Sequence, residues 1–364
     1  MSKAEREKLL KHNIKGFARA AVFAAAFLWI FCTLADVFIP DGTGGDDGME
    51  SRISRAYRGE DAGSLDALFI GNSDVYRAVS PVDIYAETGI TSAVAGQPGK
   101  KMSQAAADMK DILRYQDPKV VILETDCMFI GKAEAQPVGG DSGAGVTGES
   151  RVKKALRELG KDFVSKTRRI FDEGDGALIA AINYKAPLIK YHDRWRDLSL
   201  SSFTDINRKY RFSNKGMVYS DEERPYEGGD YMKDPGSAPA EMEESVIRSF
   251  ERIVSLCEKN GSRLVLLTVP SANSWNYSKH NAVQALARKH GLAYYDYNEA
   301  YPEGFDWKTC TTDRGNHLNY RGALAVTSDF GKRLREDLGL KKTKLTPEQK
   351  KAWEHDSIRF RQGR

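Results

Sequence analysis

The chain has 364 residues, enough to bury a substantial hydrophobic core as one large domain with additions. Its 41% hydrophobic and 29% charged content is typical of a globular protein. A net charge of +4, from 55 basic and 51 acidic residues with no basic stripe interleaved with aromatic residues, argues against nucleic acid as a partner.

Residues 1–16 are basic, and an apolar segment of membrane-spanning length follows at 17–39. Because the flank beyond this segment is acidic, the positive-inside rule predicts a single-pass anchor in the cell membrane, with residues 1–16 in the cytoplasm and the main domain extracytoplasmic. Two alternatives stay open. One alternative to the anchor is a signal peptide cleaved near residues 33–35, which would give a secreted protein. The other is a buried core helix.

Strand and helix patterns alternate after a linker at 40–64, of which residues 40–51 are typical of a flexible tether. Strands are predicted at the apolar stretches 65–71, 91–96, 118–125, 263–270 and 292–298. Helices are predicted to end at Gly89 and to span residues 102–116 and about 240–260, 277–290 and 319–338. An irregular insertion at about 131–239 contains a basic amphipathic helix at 151–171, and the basic tail at 339–364 is expected to be an exposed helical or disordered extension.

Strands separated by helices predict an α/β domain at 65–338, with a parallel sheet of about five strands and helices on both faces. Ligands of such sheets bind outside the carboxyl ends of the strands. That edge should therefore bring together the turns at 71–74, 96–99, 124–127 and 270–273 and the segment after residue 298.

A serine, a histidine and an aspartate fall on this predicted edge. Ser73 follows the first strand in "GNSD", while Asp313 and His317 share the loop "TTDRGNHLNYRGA" at 311–323. A serine hydroxyl becomes a nucleophile when a base accepts its proton, and the base in turn needs a carboxylate to orient it. Taken alone, Ser73 is more typical of a turn or helix cap than of a nucleophile, and Asp306 is an alternative to Asp313.

These motifs resemble the SGNH/GDSL hydrolase superfamily, and in particular its membrane-anchored extracytoplasmic branch. That branch includes the DltD-type proteins of teichoic acid D-alanylation and, more distantly, alginate O-acetylation proteins. The resemblance rests on "LFIGNSDVYRAVSP", "GQP", "YQDPKVVILE", "PLIKYHDRW", "DYN" and "HLNYRGA", which lie between about residues 65 and 330. It implies a three-layer flavodoxin-like fold, with Ser73 as nucleophile, His317 as base and Asp313 as its partner. It also implies an oxyanion hole formed by the N–H groups of Ser73 and of Gly96 or the adjoining Gln97.

Two positions depart from the family pattern. Arg314 stands where the family has its aspartate, three residues before the histidine, so residues 314–316 must bulge for Asp313 to reach His317. The family's asparagine after the third strand also has no counterpart, because Glu124 or Asp126 occupies that part of the edge. A carboxylate there repels an oxyanion unless it is protonated.

Candidate substrate contacts are Asp126 and, within the insertion, His192, Arg194 and Trp195. Trp195 offers a face for a sugar ring and Arg194 an anchor for phosphate or carboxylate, although a packed aromatic and basic segment is an equal alternative. The four cysteines show no metal-ligand spacing, and one disulfide among Cys127, Cys257 and Cys310 is left open.

The sequence thus predicts a serine esterase or O-acyltransferase for acyl esters of a cell-envelope polysaccharide or teichoic-acid-like polymer, without a metal or organic cofactor. A membrane-bound acyltransferase is a candidate partner. One alternative is a non-catalytic protein of the same fold that binds polysaccharide or an acyltransferase. A thioesterase or carrier-docking role, like that proposed for DltD-type proteins, is another.

Overall fold

The computed structural model describes residues 53–130 and 211–362, together with isolated positions elsewhere. The chain divides into two compact units, 1–43 with 148–209 and 44–147 with 210–364, and the elements given below belong to the second. The predicted helix at 151–171, most of the predicted anchor at 17–39, and His192, Arg194 and Trp195 lie outside the described residues. Within the described part of the chain, no helix is both long and apolar enough to cross a membrane.

Five strands form one parallel sheet in the order β2-β1-β3-β4-β5, which is the flavodoxin-like order. They are β1 (Ala67–Gly71), β2 (Ser92–Gly96), β3 (Val120–Glu124), β4 (Arg263–Thr268) and β5 (Ala293–Asp296). The first three strands are buried at every position, as expected of continuous apolar runs in a sheet covered on both faces. The predicted α/β class and all five strands are confirmed.

Seven α-helices are defined within 53–130 and 211–362. They are α1 (Ser73–Ala78), α2 (Pro81–Thr88), α3 (Met102–Ile112), α4 (Glu244–Asn260), α5 (Tyr277–His290), α6 (Tyr320–Glu336) and α7 (Pro347–Gln362). Three of these helices end at a glycine in the left-handed region, at Gly89, Gly261 and Gly291 with φ of 72°, 74° and 63°. Glycine stops helices in this way because it lacks the Cβ that penalises positive φ.

The sheet lies between two helical layers, because successive side chains of a strand point to opposite faces. On one face, Leu68 and Ile70 of β1 pack in a core with α3, α4 and α5. On the other face, Ala67 and Phe69 pack with α1, α2 and α6. The result is the three-layer arrangement expected from alternating strands and helices.

The predicted linker at 40–64 extends too far into the chain, since residues 53–64 belong to the domain. Ile53 and Tyr57 are each 1% exposed, and the Tyr57 hydroxyl donates to Asp111 of α3 over 2.6 Å. A short 3-10 turn at Ala56–Gly59 carries these contacts. Few apolar side chains occur in this stretch, so its packing was not visible as a hydrophobic pattern.

The basic C-terminal tail also differs from the exposed extension predicted for it. It forms α7, whose Trp353 and Phe360 are 2% and 7% exposed, and it is tied to the domain by Lys215. The Lys215 ammonium lies 2.5 Å from the Asp356 carboxylate on α7 and 2.7 Å from Glu60. Two aromatic residues seven positions apart define the buried face, and the many lysines and arginines around them obscured it.

Cys127, Cys257 and Cys310 are buried free thiols. The disulfide that the sequence left open is therefore not formed in this structure.

Candidate active site

The carboxyl ends of β1 and β3 flank the topological switch point of the sheet. The chain leaves β1 toward β2 on one side, and the crossover from β2 returns to β3 on the other side of β1. In open α/β sheets this is where a crevice forms and where ligands bind. Ser73 follows β1, and Asp126 follows β3. The predicted site residues after these strands thus lie at the place that the topology favours for a ligand.

Ser73 is the first residue of α1 and is half-buried. The preceding Asn72 is the N-cap, since its side-chain oxygen accepts the N–H of Asp74 over 2.9 Å. Gly71 is needed here because a Cβ at this position would lie 2.5 Å from the Cβ of Glu124. The tight approach of β3 side chains to the end of β1, rather than an unusual φ, explains the glycine before the serine.

Asp313 and His317 are in direct contact within their loop. The Asp313 Oδ2 atom lies 2.5 Å from His317 Nδ1, and Asp313 Oδ1 accepts the backbone N–H of His317 over 2.7 Å. The expected bulge between them is present, because Arg314 and Gly315 both have positive φ, 65° and 101°. One carboxylate therefore orients the imidazole and closes the turn that carries it.

The same imidazole faces the helix that begins at Ser73. His317 Nε2, the nitrogen opposite the Asp313 contact, lies 4.0 Å from Oδ1 of Asp74, the residue after Ser73. The Ser73 side chain itself makes no hydrogen bond to another described residue. Catalytic hydrogen bonds are often long in ligand-free proteins, so the structure brings the three predicted triad residues into one region without a formed serine–histidine bond.

Three buried carboxyl groups lie together beneath the Ser73 turn. Asp74, Glu124 and Asp126 are 5%, 0% and 4% exposed. Asp126 accepts the side-chain N–H of Asn72 over 3.0 Å and lies 3.5 Å from the Lys279 ammonium of α5. Glu124 accepts the backbone N–H of Asp126 over 2.8 Å through one oxygen, and its other oxygen has no hydrogen-bond partner.

Burial is the main reason that these three carboxyl groups resist ionisation. It raises the pKa of Asp74 to about 7, with a further contribution from the charge of Asp126, while His317 opposes the shift. Burial and the two neighbouring carboxylates raise the pKa of Glu124 well above its usual value. Burial also raises the pKa of Asp126, although the Lys279 charge and the Asn72 hydrogen bond act against it. The cluster is therefore biased toward holding protons.

The pKa values of Asp313 and His317, which we call the dyad, shift so that the ionised forms of both groups are favoured. Burial alone would lower the pKa of His317, but the hydrogen bond to Asp313 and the charge of Asp74 outweigh it and raise that pKa. Burial would raise the pKa of Asp313, but the hydrogen bonds from the His317 ring and backbone outweigh it and lower that pKa. An imidazolium is thus stabilised between two acids, which is a property of a base that must accept a proton.

The predicted oxyanion donors have different surroundings. The Gln97 N–H donates to the carbonyl of Gly71 over 3.3 Å, so this donor is already engaged. A Cβ at Gly96 would lie 2.7 Å from the ring of Tyr76 on α1, which shows why this position needs glycine for packing. The donor roles of Ser73 and Gly96 remain predictions. Asp126, a predicted substrate contact, faces inward to Asn72 and Lys279.

Two neighbours of the site were not identified from the sequence. Asp74, the last residue of "GNSD", faces His317. Lys279 lies on α5, more than 150 positions from Asp126, and nothing in its local pattern marks it. Only the three-dimensional arrangement of β3 and α5 brings this lysine to the carboxyl cluster.

A second aspartate–histidine pair lies at the ends of β5 and α5. The His280 Nδ1 atom is 2.7 Å from Asp296 Oδ2, and His280 Nε2 is 3.8 Å from Glu299. Asp296 also accepts the indole N–H of Trp275 over 2.9 Å, which ties this pair to the packing of α5. The cavity beside His280 has a volume of about 470 Å³. Sequence reasoning assigned His280 no such partner.

Among the described residues, no cluster of three or more histidine, cysteine, aspartate or glutamate side chains is arranged to hold a metal ion. Asp306, the alternative to Asp313, is exposed and accepts the backbone N–H of Lys308 over 2.9 Å. His317 therefore has Asp313 as its carboxylate partner in this loop.

No family model matches the sequence, and no curated protein matches it. Among solved structures, the chain is similar to a Bacteroides fragilis protein described as a "putative acylhydrolase", with 10% identity and a TM-score of 0.34, over 80% of this chain and 100% of that one. A similarity at this level carries no argument about activity.

Proposed function

We propose that this chain is a serine esterase or O-acyltransferase of the SGNH type, acting outside the cytoplasm on acyl esters of a cell-envelope polysaccharide or teichoic-acid-like polymer. The observation that carries this proposal is the Asp313–His317 dyad, whose Nε2 lies 4.0 Å from the residue that follows Ser73 at the switch point of the sheet. A serine and an oriented base at the switch point of the sheet are parts that acyl transfer requires.

In the proposed reaction, His317 takes the hydroxyl proton of Ser73 while Ser73 Oγ forms a bond to the ester carbonyl carbon. Asp313 stabilises the imidazolium that results, and backbone N–H groups of Ser73 and Gly96 stabilise the oxyanion. Collapse of the intermediate breaks the ester C–O bond, and His317 returns its proton to the departing alcohol. Water or a sugar hydroxyl then attacks the acyl carbon and loses its proton to His317. The bond from that carbon to Ser73 Oγ breaks, and His317 returns the proton to Oγ.

A serine-directed fluorophosphonate probe tests the nucleophile. We expect labelling of the folded wild-type chain, mapped by mass spectrometry to the peptide containing Ser73, together with hydrolysis of small acyl esters. Ser73→Ala should abolish both, whereas Ser245→Ala, which removes an exposed serine of α4, should retain both. Full ester hydrolysis by Ser73→Ala would refute the assignment.

One observation favours a non-catalytic protein of the same fold. His317 Nε2 faces Asp74, and the Ser73 hydroxyl forms no hydrogen bond with the His317 ring in this structure. A protein that binds polysaccharide or an acyltransferase partner would need the fold but not the serine–histidine contact. Absence of both labelling and turnover in the folded wild-type chain, with retained binding of a polysaccharide, would favour this alternative.

The proposal includes a single-pass membrane anchor at 17–39. In support, the described positions between 16 and 30 are helical, and their apolar side chains include Phe17 and Phe23, 78% and 72% exposed. Protease digestion of intact spheroplasts should degrade the domain and leave residues 1–16 protected. Recovery of a soluble chain that begins after residue 35 would instead support a cleaved signal peptide.

A further inference from the structure

Five aromatic rings form a continuous, partly exposed surface next to the loop of His317. We call this group, formed by Tyr226, Tyr231, Tyr301, Phe305 and Trp307, the aromatic surface. The Trp307 ring centroid lies 5.4 Å from that of Tyr226, 5.8 Å from that of Tyr231 and 5.0 Å from that of Phe305. Tyr301 is 46% exposed, and the other four residues are half-buried.

Hydrogen bonds engage the polar atoms at the edges of three of these rings. The Trp307 N–H donates to the Tyr301 hydroxyl over 3.1 Å, and the Tyr231 hydroxyl donates to Asn298 over 2.9 Å. The rings are therefore held in fixed orientations while part of their surface remains in contact with water. A contiguous exposed aromatic patch of this kind is typical of an interaction site rather than of a folding core.

The aromatic surface adjoins the loop that carries Asp313 and His317. The Tyr226 ring packs against Gly315, where an added Cβ would lie 2.6 Å from a ring atom. Arg314 donates its N–H to the carbonyl of Arg224 over 3.1 Å, which joins the same two segments through the backbone. Since Gly315 is two residues before His317, the aromatic surface contacts the loop that carries the dyad.

The charge around the rings restricts what they can bind. Segments 221–234 and 299–308, which supply all five rings, carry nine exposed acidic side chains and three exposed basic ones. We call the acidic side chains of these two segments the acidic rim. Their excess over the basic ones gives the segments a net negative charge, which disfavours a polymer with repeated phosphate or carboxylate groups. Aromatic faces, by contrast, bind the apolar faces of sugar rings and attract ammonium groups.

We propose that the aromatic surface binds the sugar rings of a glycan that carries free amino groups and presents it to the Asp313–His317 loop. This inference rests on the proposed function and specifies its substrate, favouring an amino-sugar polysaccharide over a polyanionic teichoic-acid-like polymer. The rings contact the sugar faces, and the acidic rim contacts the ammonium groups.

Calorimetric titration of the full chain with glucosamine oligomers, N-acetylglucosamine oligomers and galacturonate oligomers of equal length tests the proposal. We expect glucosamine oligomers to bind most tightly and galacturonate oligomers not to bind. Tyr301→Ala should weaken glucosamine binding by about five- to tenfold, the loss expected for one aromatic contact. Equal binding of all three oligomers, or unchanged affinity in Tyr301→Ala, would overturn the proposal.

A charge variant keeps the test decisive if loss of a ring disturbs folding. Glu227→Gln with Glu303→Gln removes two exposed charges of the rim and should weaken glucosamine binding severalfold. Glu258→Gln with Glu348→Gln, which removes two exposed charges outside these segments, should not. Identical affinities in the two double variants would contradict the role of the rim.

Binding measured in this way does not depend on turnover. Failure of the wild-type chain to bind glucosamine oligomers would overturn the glycan proposal alone. Retained ester hydrolysis in Ser73→Ala would instead overturn the proposed function, so the two failures are distinguishable.

Discussion

Replacing Asp74 with asparagine should make the stability of the fold less sensitive to pH. Burial raises the pKa of this carboxyl from 3.8 to about 7, so the folded chain holds a proton that the unfolded chain has released. The folded state therefore binds more protons between about pH 4 and pH 7, and the free energy of unfolding falls as the pH rises through this window. Below this pH window, Asp74 is protonated in both the folded and the unfolded chain, so its burial carries no ionisation penalty.

The shift of about three pKa units corresponds to about 4 kcal/mol at most, at about 1.4 kcal/mol per unit. Urea unfolding of the wild-type chain and Asp74→Asn should be measured between about pH 4 and pH 8. We expect Asp74→Asn to gain stability relative to wild type by up to this amount as the pH rises, whatever constant offset the asparagine introduces. An Asp221→Asn variant controls for loss of an exposed charge. Parallel pH curves for wild type and Asp74→Asn would refute the reasoning.

Three further substitutions test the site and its support. Asp313→Asn removes the charge that stabilises the His317 imidazolium and should lower kcat for a small ester by about two to four orders of magnitude, measured by initial rates with the unfolding midpoint as control. Gly315→Ala should cost about 1–3 kcal/mol in urea unfolding because it adds a steric clash to a positive φ, and it should exceed the cost of Gly63→Ala, which has positive φ but no neighbour within 4 Å. Lys215→Met leaves the buried Glu60 carboxylate without this cation and Asp356 with the more distant Arg211, 3.5 Å away, and should cost about 3 kcal/mol, so an unfolding midpoint equal to wild type would contradict the ion-pair assignment.

The sheet and most helix ends could be predicted because their signals are local. An apolar run such as 118–125 encodes a buried strand without reference to the rest of the chain. Gly89 and Gly261 stop helices through a backbone property of the glycine itself. The Asp313–His317 contact could also be predicted from the sequence, because the two residues are four positions apart and the required bulge keeps both side chains in one loop.

The parts that could not be predicted depend on partners distant in sequence. The basic stretch around Trp353 gives no sign that Lys215, far earlier in the chain, will neutralise Asp356 and hold α7 against the domain. Likewise, the His280–Asp296 pair forms only once α5 packs beside β5. Side chains whose role is set by tertiary contacts leave no periodic pattern in the sequence.

The missing asparagine after β3 raised the objection that Glu124 or Asp126 would repel an oxyanion. The structure weakens this objection, because burial raises the pKa of both carboxyls, and a protonated carboxyl does not repel an oxyanion. The charge state of the cluster therefore matters for any chemistry at Ser73.

The charge of Asp74 links the stability of the fold to the proposed catalysis. The pKa of His317 is raised in part by the charge of Asp74, and a base must be neutral to accept the serine proton. We expect kcat/KM for a small ester to rise with pH through a pKa above the ordinary 6.5 of histidine, and this limb should move to lower pH in Asp74→Asn. Rates measured across that range in wild type, Asp74→Asn and the Asp221→Asn control provide the comparison. If the limb stays in place while the stability curve loses its pH dependence, Asp74 titrates in the fold without acting on His317, and the dyad is governed by Asp313 alone.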